Sequence, residues 1–148
     1  MRTMLTALTT FAFAATAALA DTNTYQSIIG DAARIQQDAQ AISAQLKGKS
    51  PDFATVKTRS ADLNKDIQEL RSDLDKFEAT QPNLTADQKK EWELVKTKAQ
   101  LLLVFSDAKS DLLNFGDPQQ NKNLLKAYAD GIVKRAAMLQ ETAKQLAR

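Results

Sequence analysis

Cysteine and histidine are both absent from this chain of 148 residues. Without cysteine no disulfide can form, so packing alone must stabilise the fold even in an oxidising compartment. Without histidine the chain lacks the commonest general base, the commonest neutral metal ligand and the side chain that titrates near neutral pH. Di-iron bundles need Glu-x-x-His motifs, and a haem site needs more than a lone methionine such as Met138. We therefore expect neither kind of iron centre.

Other catalytic equipment is equally scarce. The serines and threonines fall at predicted helix ends and on helix faces with no base beside them, and no glycine-rich phosphate loop is present. We therefore predict that the protein is not an enzyme and carries no cofactor.

The first twenty residues have the features of a secretory signal peptide. Arg2 supplies a positive start, an apolar stretch follows over residues 5–18, and Ala-Leu-Ala at 18–20 fits the small-x-small rule for cleavage before Asp21. The stretch is too short and too rich in threonine for a good membrane span, which needs about 20 apolar residues. We expect a periplasmic or secreted protein; a retained N-terminal anchor is the alternative.

The mature chain, residues 21–148, has the length of a single domain. The full sequence has 20 Lys and Arg against 18 Asp and Glu, so loss of Arg2 leaves 19 against 18 and a net charge of +1. A nucleic-acid-binding protein usually shows a basic face or a strongly positive balance. No stretch after residue 20 is apolar for long enough to cross a bilayer. We expect neither nucleic-acid binding nor stable membrane insertion of the mature chain.

Three breaks divide the mature chain into four helical segments of about 26–30 residues, or about 40 Å each. Gly48 is expected to end the first helix, and Ser50 with Pro51 to begin the second. Residues 81–83, Gln-Pro-Asn, break the second helix.

The third and fourth helices have comparable boundary signals. Thr85 and Gln88 have the spacing of a capping box at the start of the third helix. Gly116 is expected to end it, and Asp117 with Pro118 to begin the fourth.

In three of these segments the apolar residues alternate at spacings of three and four, the heptad pattern of left-handed helix packing. In the first segment they are Tyr25, Ile28, Ala32, Ile35, Ala39, Ile42 and Leu46. In the second, with one polar interruption, they are Phe53, Val56, Ser60, Leu63, Ile67, Leu70, Leu74 and Phe77. In the fourth they are Leu125, Tyr128, Ile132, Ala136, Leu139, Ala143 and Leu146.

These patterns predict an all-α fold. Because the connections are short, sequential helices should be antiparallel neighbours, which gives an up-down-up-down four-helix bundle. The alternative is a pair of helical hairpins that completes its core only by dimerising, so we expect a monomer or a homodimer.

The third segment has two apolar stripes about 100° apart on a helical wheel. The first contains Trp92, Val95, Ala99, Leu102 and Leu113, and the second contains Leu94, Leu101, Phe105, Ala108, Leu112 and Phe115. Glu91, Lys98 and Lys109 share the azimuth between them. Residues 101–105 are apolar all round, so we expect an exposed patch near Leu103, with Val104 facing away from both stripes. The candidate interaction surface is therefore Leu94, Leu101, Leu103, Val104, Phe105, Leu112 and Phe115; burial between two neighbouring helices is the alternative.

The second segment carries four carboxylates in one row. Asp62, Asp66, Glu69 and Asp73 are spaced by four, three and four residues beside its heptad positions. Such a row could chelate a hard cation. We favour pairing with a neighbouring helix and predict Lys98 as the partner opposite Asp66; we expect no metal site.

The third segment opens with Leu84-Thr85-Ala86-Asp87-Gln88. This L-T-x-x-Q pattern resembles the pentapeptide of Spy/CpxP-type periplasmic chaperones and stress proteins, which are exported and all-α. The resemblance implies a binding role in the cell envelope. The same residues are also explained by the capping box.

Two functions remain open. The first is an interaction module of the cell envelope that binds a protein partner through one helix face. The second is a carrier of small apolar or amphipathic ligands, in which the helix hairpins part at an end with clustered aromatic residues to admit the ligand. The polar face of helix 1 is poor in lysine and arginine, whereas a helix that lies on lipid is rich in them. That favours the protein partner.

Overall fold

The computed structural model describes the backbone of residues 10–80 and 84–147 and the side chains from residue 23 onward within them. This part of the chain forms four α-helices: α1 (Thr10–Lys47), α2 (Phe53–Thr80), α3 (Ala86–Phe115) and α4 (Lys122–Leu146). Each helix contacts the next one in the chain, and α4 returns to pack on α1 through the most extensive of the four interfaces. The predicted up-down-up-down four-helix bundle is confirmed.

The helix lengths agree with the prediction for α2 and α3, which have 28 and 30 residues. α4 has 25 residues, and α1 has 38 because it begins at Thr10, inside the predicted signal peptide. Residues 1–9 lie outside the described part of the chain. Cleavage before Asp21 stays a prediction.

The start of α2 differs from the expected Ser50-Pro51 boundary. Asp52 caps the helix instead: the backbone N–H groups of Ala54 and Thr55 donate to Asp52 Oδ1 at 3.0 and 3.2 Å. The Thr55 hydroxyl donates to the other carboxylate oxygen at 2.6 Å. These hydrogen bonds lower the pKa of Asp52. An ionised carboxylate accepts stronger bonds than a serine hydroxyl, which explains why the boundary falls two residues later.

The loop between α3 and α4 is also longer than predicted. Asp117 accepts bonds from the backbone N–H groups of Gln119 and Gln120 at 2.9 and 3.3 Å, which stabilises a turn. α4 begins only at Lys122, so Asp117-Pro118 does not open it. At the start of α3, by contrast, Thr85 and Gln88 form the predicted capping box.

The two glycines at helix ends, Gly48 and Gly116, are explained by the close approach of neighbouring atoms and not by a backbone conformation that only glycine adopts. Neither Gly48 nor Gly116 has the positive φ expected of a left-handed cap. At Gly116 (φ −102°, ψ 174°) a Cβ would come within 2.8 Å of the Leu112 carbonyl oxygen and 2.9 Å of Asn121 Nδ2. Glycine therefore permits the close approach of the loop to the end of α3.

The core follows the predicted heptad positions. Every predicted position of α1 is buried, and so is every predicted position of α2 except Phe53. In α4 the exceptions are Tyr128 and Leu146; Ala129, next to Tyr128 in the chain, is buried instead. At one end of the bundle Phe77 and Trp92 bring their ring centroids to 4.5 Å, and Tyr25 lies 6.1 Å from Phe77. The four helices of one chain enclose this core together; the expectation of a monomer or a homodimer stays a prediction.

Over the described residues, none of the four helices is long and apolar enough to cross a membrane.

Candidate functional site

Among the described side chains, the large apolar ones that remain exposed lie on two of the helices. Among the described residues they are Leu94, Leu101, Val104 and Phe115 of α3 and Leu124 and Met138 of α4. Their exposed fractions run from 40% for Leu101 to 88% for Phe115. Six such residues confined to half of the helices form a surface feature rather than a random scatter of exposed leucines.

These side chains share one face of the bundle. At 100° per residue, the four exposed residues of α3 fall within about 80° of one another. The Phe105 ring reaches α4, where it lies 5.7 Å from the Tyr128 ring and against the backbone of Gly131. Because the two helices are antiparallel, positions 112 and 124 lie about opposite each other. We call this surface the α3–α4 face and define it by Leu94, Leu101, Val104, Phe105, Leu112, Phe115, Leu124, Tyr128, Gly131, Arg135 and Met138.

The centre of the α3–α4 face is held in a fixed arrangement. A Cβ at Gly131 would lie 2.5 Å from two carbons of the Phe105 ring, so only glycine lets the ring lie against α4. The Arg135 guanidinium carbon sits 3.6 Å from the centroid of the same ring, in the geometry of a cation–π contact. Its Nη1 donates to the Gly131 carbonyl at 3.0 Å. Phe105 is thereby held between Tyr128 and Arg135.

Unpaired cations lie at the centre of this face. Lys98, Lys134 and Arg135 lie on it or along its outer edge, and no carboxylate of the described residues pairs with any of them. Two nearby acids bond to other helices: Asp107 accepts from Asn64 of α2, and Asp130 accepts from Ser43 of α1. Two further acids, Asp111 and Glu141, are exposed and recur seven residues after Val104 and Lys134, so the rim of the face carries both signs of charge.

Six of the seven residues of the predicted interaction surface lie on the α3–α4 face, and one does not. Leu94, Leu101, Val104 and Phe115 are exposed, and Phe105 and Leu112 are half-buried on the same side. Leu103 is the exception, because it lies about 100° from Leu102 on the side that faces α2 and packs against the core. The exposed patch expected near Leu103 is therefore wrong.

The contribution of α4 to this surface was missed. The signal was present, since Leu124, Gly131 and Met138 are spaced by seven residues and so recur on one side of a helix. Gly131 also stands out as a glycine inside a helix, which costs stability and usually has a packing reason.

The carboxylate row of α2 faces α1, not α3. Asp66 pairs with Arg34 of α1 at 3.6 Å, so Lys98 is not its partner. Glu69 and Asp73 pair with lysines of their own helix at 3.6 and 2.9 Å. Over the part of the chain that the structure describes, no group of three or more carboxylates has the arrangement of a metal site.

A second, interior set of polar side chains was also missed. Ser60, Ser106 and Lys109 are completely or almost completely buried, and the hydroxyl oxygens and the ammonium nitrogen have no hydrogen-bond partner among the described residues. Lys109 was placed between the two apolar stripes of α3, but it occupies a core position of the first stripe. Burial lowers its pKa to about 8. The sequence contained the signal for this burial, because positions 92, 95, 99, 102, 106 and 109 continue one heptad pattern with spacings of three and four residues.

Comparison of the chain with protein-family models, curated proteins and solved structures gave no match. The residues behind the Spy/CpxP resemblance, Thr85 and Gln88, are accounted for by the capping box. The interpretation of both sites therefore rests on the geometry of this chain.

Proposed function

We propose that the protein is a non-enzymatic binding module of the cell envelope that docks an amphipathic helix of a protein partner on its α3–α4 face. The observation that carries the proposal is that the six large apolar side chains exposed among the described residues all lie on α3 and α4. A contiguous apolar surface rimmed by polar residues is typical of interaction sites. The envelope location depends on the predicted signal peptide.

The residue types at the centre of the face support a role in binding. Aromatic side chains and arginine are enriched at the centres of protein interfaces and dominate their binding energy. Phe105 and Arg135 are already immobilised against each other and against the Gly131 carbonyl. Side chains that are ordered before binding lose less conformational entropy when the partner arrives.

The unpaired cations of the face favour carboxylates on the partner. Lys98, Lys134 and Arg135 lack carboxylate partners within the described part of the chain. A complementary helix presents apolar residues at i, i+3 or i+4, and i+7 with aspartate or glutamate where it meets these three cations.

The test has two parts, of which the first asks whether the face is free in the isolated protein. Leu101→Ala should change the free energy of unfolding by no more than about 0.5 kcal/mol, as for most surface substitutions. Its buried neighbour Leu102 is the matched control, for which the same substitution should cost about 2–5 kcal/mol. Denaturant unfolding measures both. Equal, large losses would show that Leu101 belongs to the core and is not available for binding.

The second part identifies the partner. A photo-crosslinking amino acid at Met138 in the native host should yield an adduct that the same probe at Gln68, exposed on α2, does not. Calorimetry with the purified partner should then show weaker binding for Leu101→Ala and for Arg135→Glu. An affinity unchanged by both variants would refute the proposal, and an adduct with this chain itself would point to a homodimer.

A further inference from the structure

We propose that the core layer containing Ser60, Ser106 and Lys109 is a second site, which binds the carboxylate of an alkyl-chain amphiphile between the helices. The three side chains are hydrogen-bond donors, they are buried, and none has a partner among the described residues. These three donors lie in the core and are not among the residues that define the α3–α4 face.

The three donors lie at nearly the same level of the bundle. Phe77 of α2 contacts Trp92 of α3, and the helices are antiparallel. In antiparallel helices, equal numbers of residues from a contact lead to the same level. Ser60 is seventeen residues before Phe77 and Lys109 is seventeen residues after Trp92, so the two lie at the same level of the bundle. Ser106 lies one turn before Lys109 on the same helix face, and long helical side chains lean toward the N-terminus. The Lys109 ammonium therefore reaches toward the level of Ser106.

The chemistry of the donors specifies the ligand. An ammonium offers three N–H groups and no acceptor, and each serine adds a hydroxyl that can donate. Two carboxylate oxygens, acceptors only when ionised, complement this set and supply the negative charge that the buried ammonium lacks. No carboxylate of the described residues pairs with Lys109, and the pKa of its ammonium is lowered to about 8 by burial alone.

The surroundings of the donors suit an apolar chain. Tyr25 lies against Phe77, so the same counting places Ile42 of α1 beside Ser60. Ser43 bonds to Asp130, which brings Ile132 of α4 to this level. The neighbouring layer toward Trp92 contributes two buried alanines, Ala39 and Ala136, so an added chain would meet only small apolar side chains there.

The surface opening nearest to this layer that the structure shows on α3 is a depression between α2 and α3. It has a volume of about 280 Å³ and reaches from surface residues such as Arg71 and Lys96 down to Leu74 and Ala99, with Leu101 also on its wall. Ala99 lies ten residues before Lys109, or about 15 Å along the helix axis. An extended alkyl chain with its carboxylate at Lys109 spans that distance.

Entry of the amphiphile requires one helix to move, and α2 is the helix with the least extensive packing against its neighbours. Its interfaces with α1 and α3 are the two least extensive of the four helix pairs. Displacement of α2 uncovers Ser60 and opens the core layer in which Lys109 is buried. The amphiphile is therefore expected to bind slowly and to protect α2 from exchange.

The test uses dodecanoate, with dodecanol as a probe of equal chain length and no charge, both below the concentrations at which they form aggregates. Dodecanoate should raise the Tm of the full chain saturably, since a ligand that binds only the folded state stabilises it. Dodecanol should not. Lys109→Met, which keeps the length of the side chain without its charge, should bind dodecanoate about tenfold more weakly or worse. Lys134→Met, at an exposed position, should keep the full response.

The second measurement is the pKa of Lys109 with and without dodecanoate, which would not change if Lys109 had only a structural role. In protein labelled at lysine Cε, dodecanoate should raise the pKa of Lys109, because the carboxylate stabilises its charged form. Should Lys109→Met fail to fold, Ser106→Ala and Ser60→Ala provide the same comparison. The proposal is overturned if dodecanoate and dodecanol act alike on the wild type, or if Lys109→Met or the serine variants retain the wild-type affinity. Neither result bears on the α3–α4 face.

Discussion

Replacing Lys109 by methionine should stabilise the protein at neutral pH. Lys109 is 0% exposed, and its nitrogen has no hydrogen-bond partner among the described residues. A buried charge without a partner is strongly destabilising, whereas an apolar side chain of similar volume is tolerated or favourable at such a position. Methionine is flexible enough to follow the path of the lysine stem.

The size of the effect follows from the pKa. Burial lowers the pKa of Lys109 from 10.5 to about 8, which corresponds to about 3 kcal/mol at about 1.4 kcal/mol per pKa unit. Below pH 8 both the folded and the unfolded chain hold the proton, so the full penalty is present. Between pH 8 and 10.5 the unfolded state binds more protons, so the free energy of unfolding of the wild type rises with pH. Above that range only the cost of burying a neutral amine remains.

Urea unfolding of both proteins between pH 7 and 10.5 measures this term. All other ionisable groups are common to both proteins, so their contributions cancel in the difference. The advantage of Lys109→Met should be largest at pH 7 and should shrink by about 3 kcal/mol by pH 10.5. Lys134→Met controls for the loss of one positive charge at an exposed position. A difference that stays constant with pH, or a wild type more stable than Lys109→Met at pH 7, would refute the reasoning.

Three further outcomes are expected. Gly30→Ala should stabilise α1 by about 0.5–1 kcal/mol, because an added Cβ meets nothing within 4 Å. Gly131→Ala should give no such stabilisation of α4, because the added Cβ displaces the Phe105 ring, which should alter the near-UV circular dichroism. Asp52→Ala should lower the thermal midpoint, because it leaves two N–H groups of α2 without an acceptor, whereas Ser50→Ala should not; an equal loss for both would move the cap back to Ser50. Mass spectrometry of protein from the native host should find Asp21 at the N-terminus, and intact Met1 in the soluble fraction would contradict export.

Helix ends show where local signals are sufficient. The Thr85–Gln88 capping box was predicted because both partners lie within one turn of each other in sequence. The starts of α2 and α4 were misplaced by two or more residues, because several capping residues stand close together there. Choosing between Ser50 and Asp52, or between Asp117 and Asn121, depends on how the loop crosses to the next helix.

The interaction surface shows where one helix alone is insufficient. Four of its α3 residues besides Phe105 could be assigned to one side from the wheel. Val104 was expected to face away from both stripes, and this was wrong, because it lies on the same side as the other four. A wheel also does not say which side a neighbouring helix covers. Leu103 and Leu101 lie on opposite sides of the buried stripe, and the structure covers the first with α2 and leaves the second at 40% exposure. The part that α4 plays depends on Gly131, whose missing side chain is informative only once Phe105 is seen against it.

The sequence by itself determined the four helices and nearly every core position. Both follow from the spacing of apolar residues along a helix of fixed period, which is a local property. Only the tertiary structure decided that Lys109 is buried without a partner and that Arg135 stacks on Phe105. Burial and pairing depend on which helices meet and in what register, and those contacts join residues far apart in the chain.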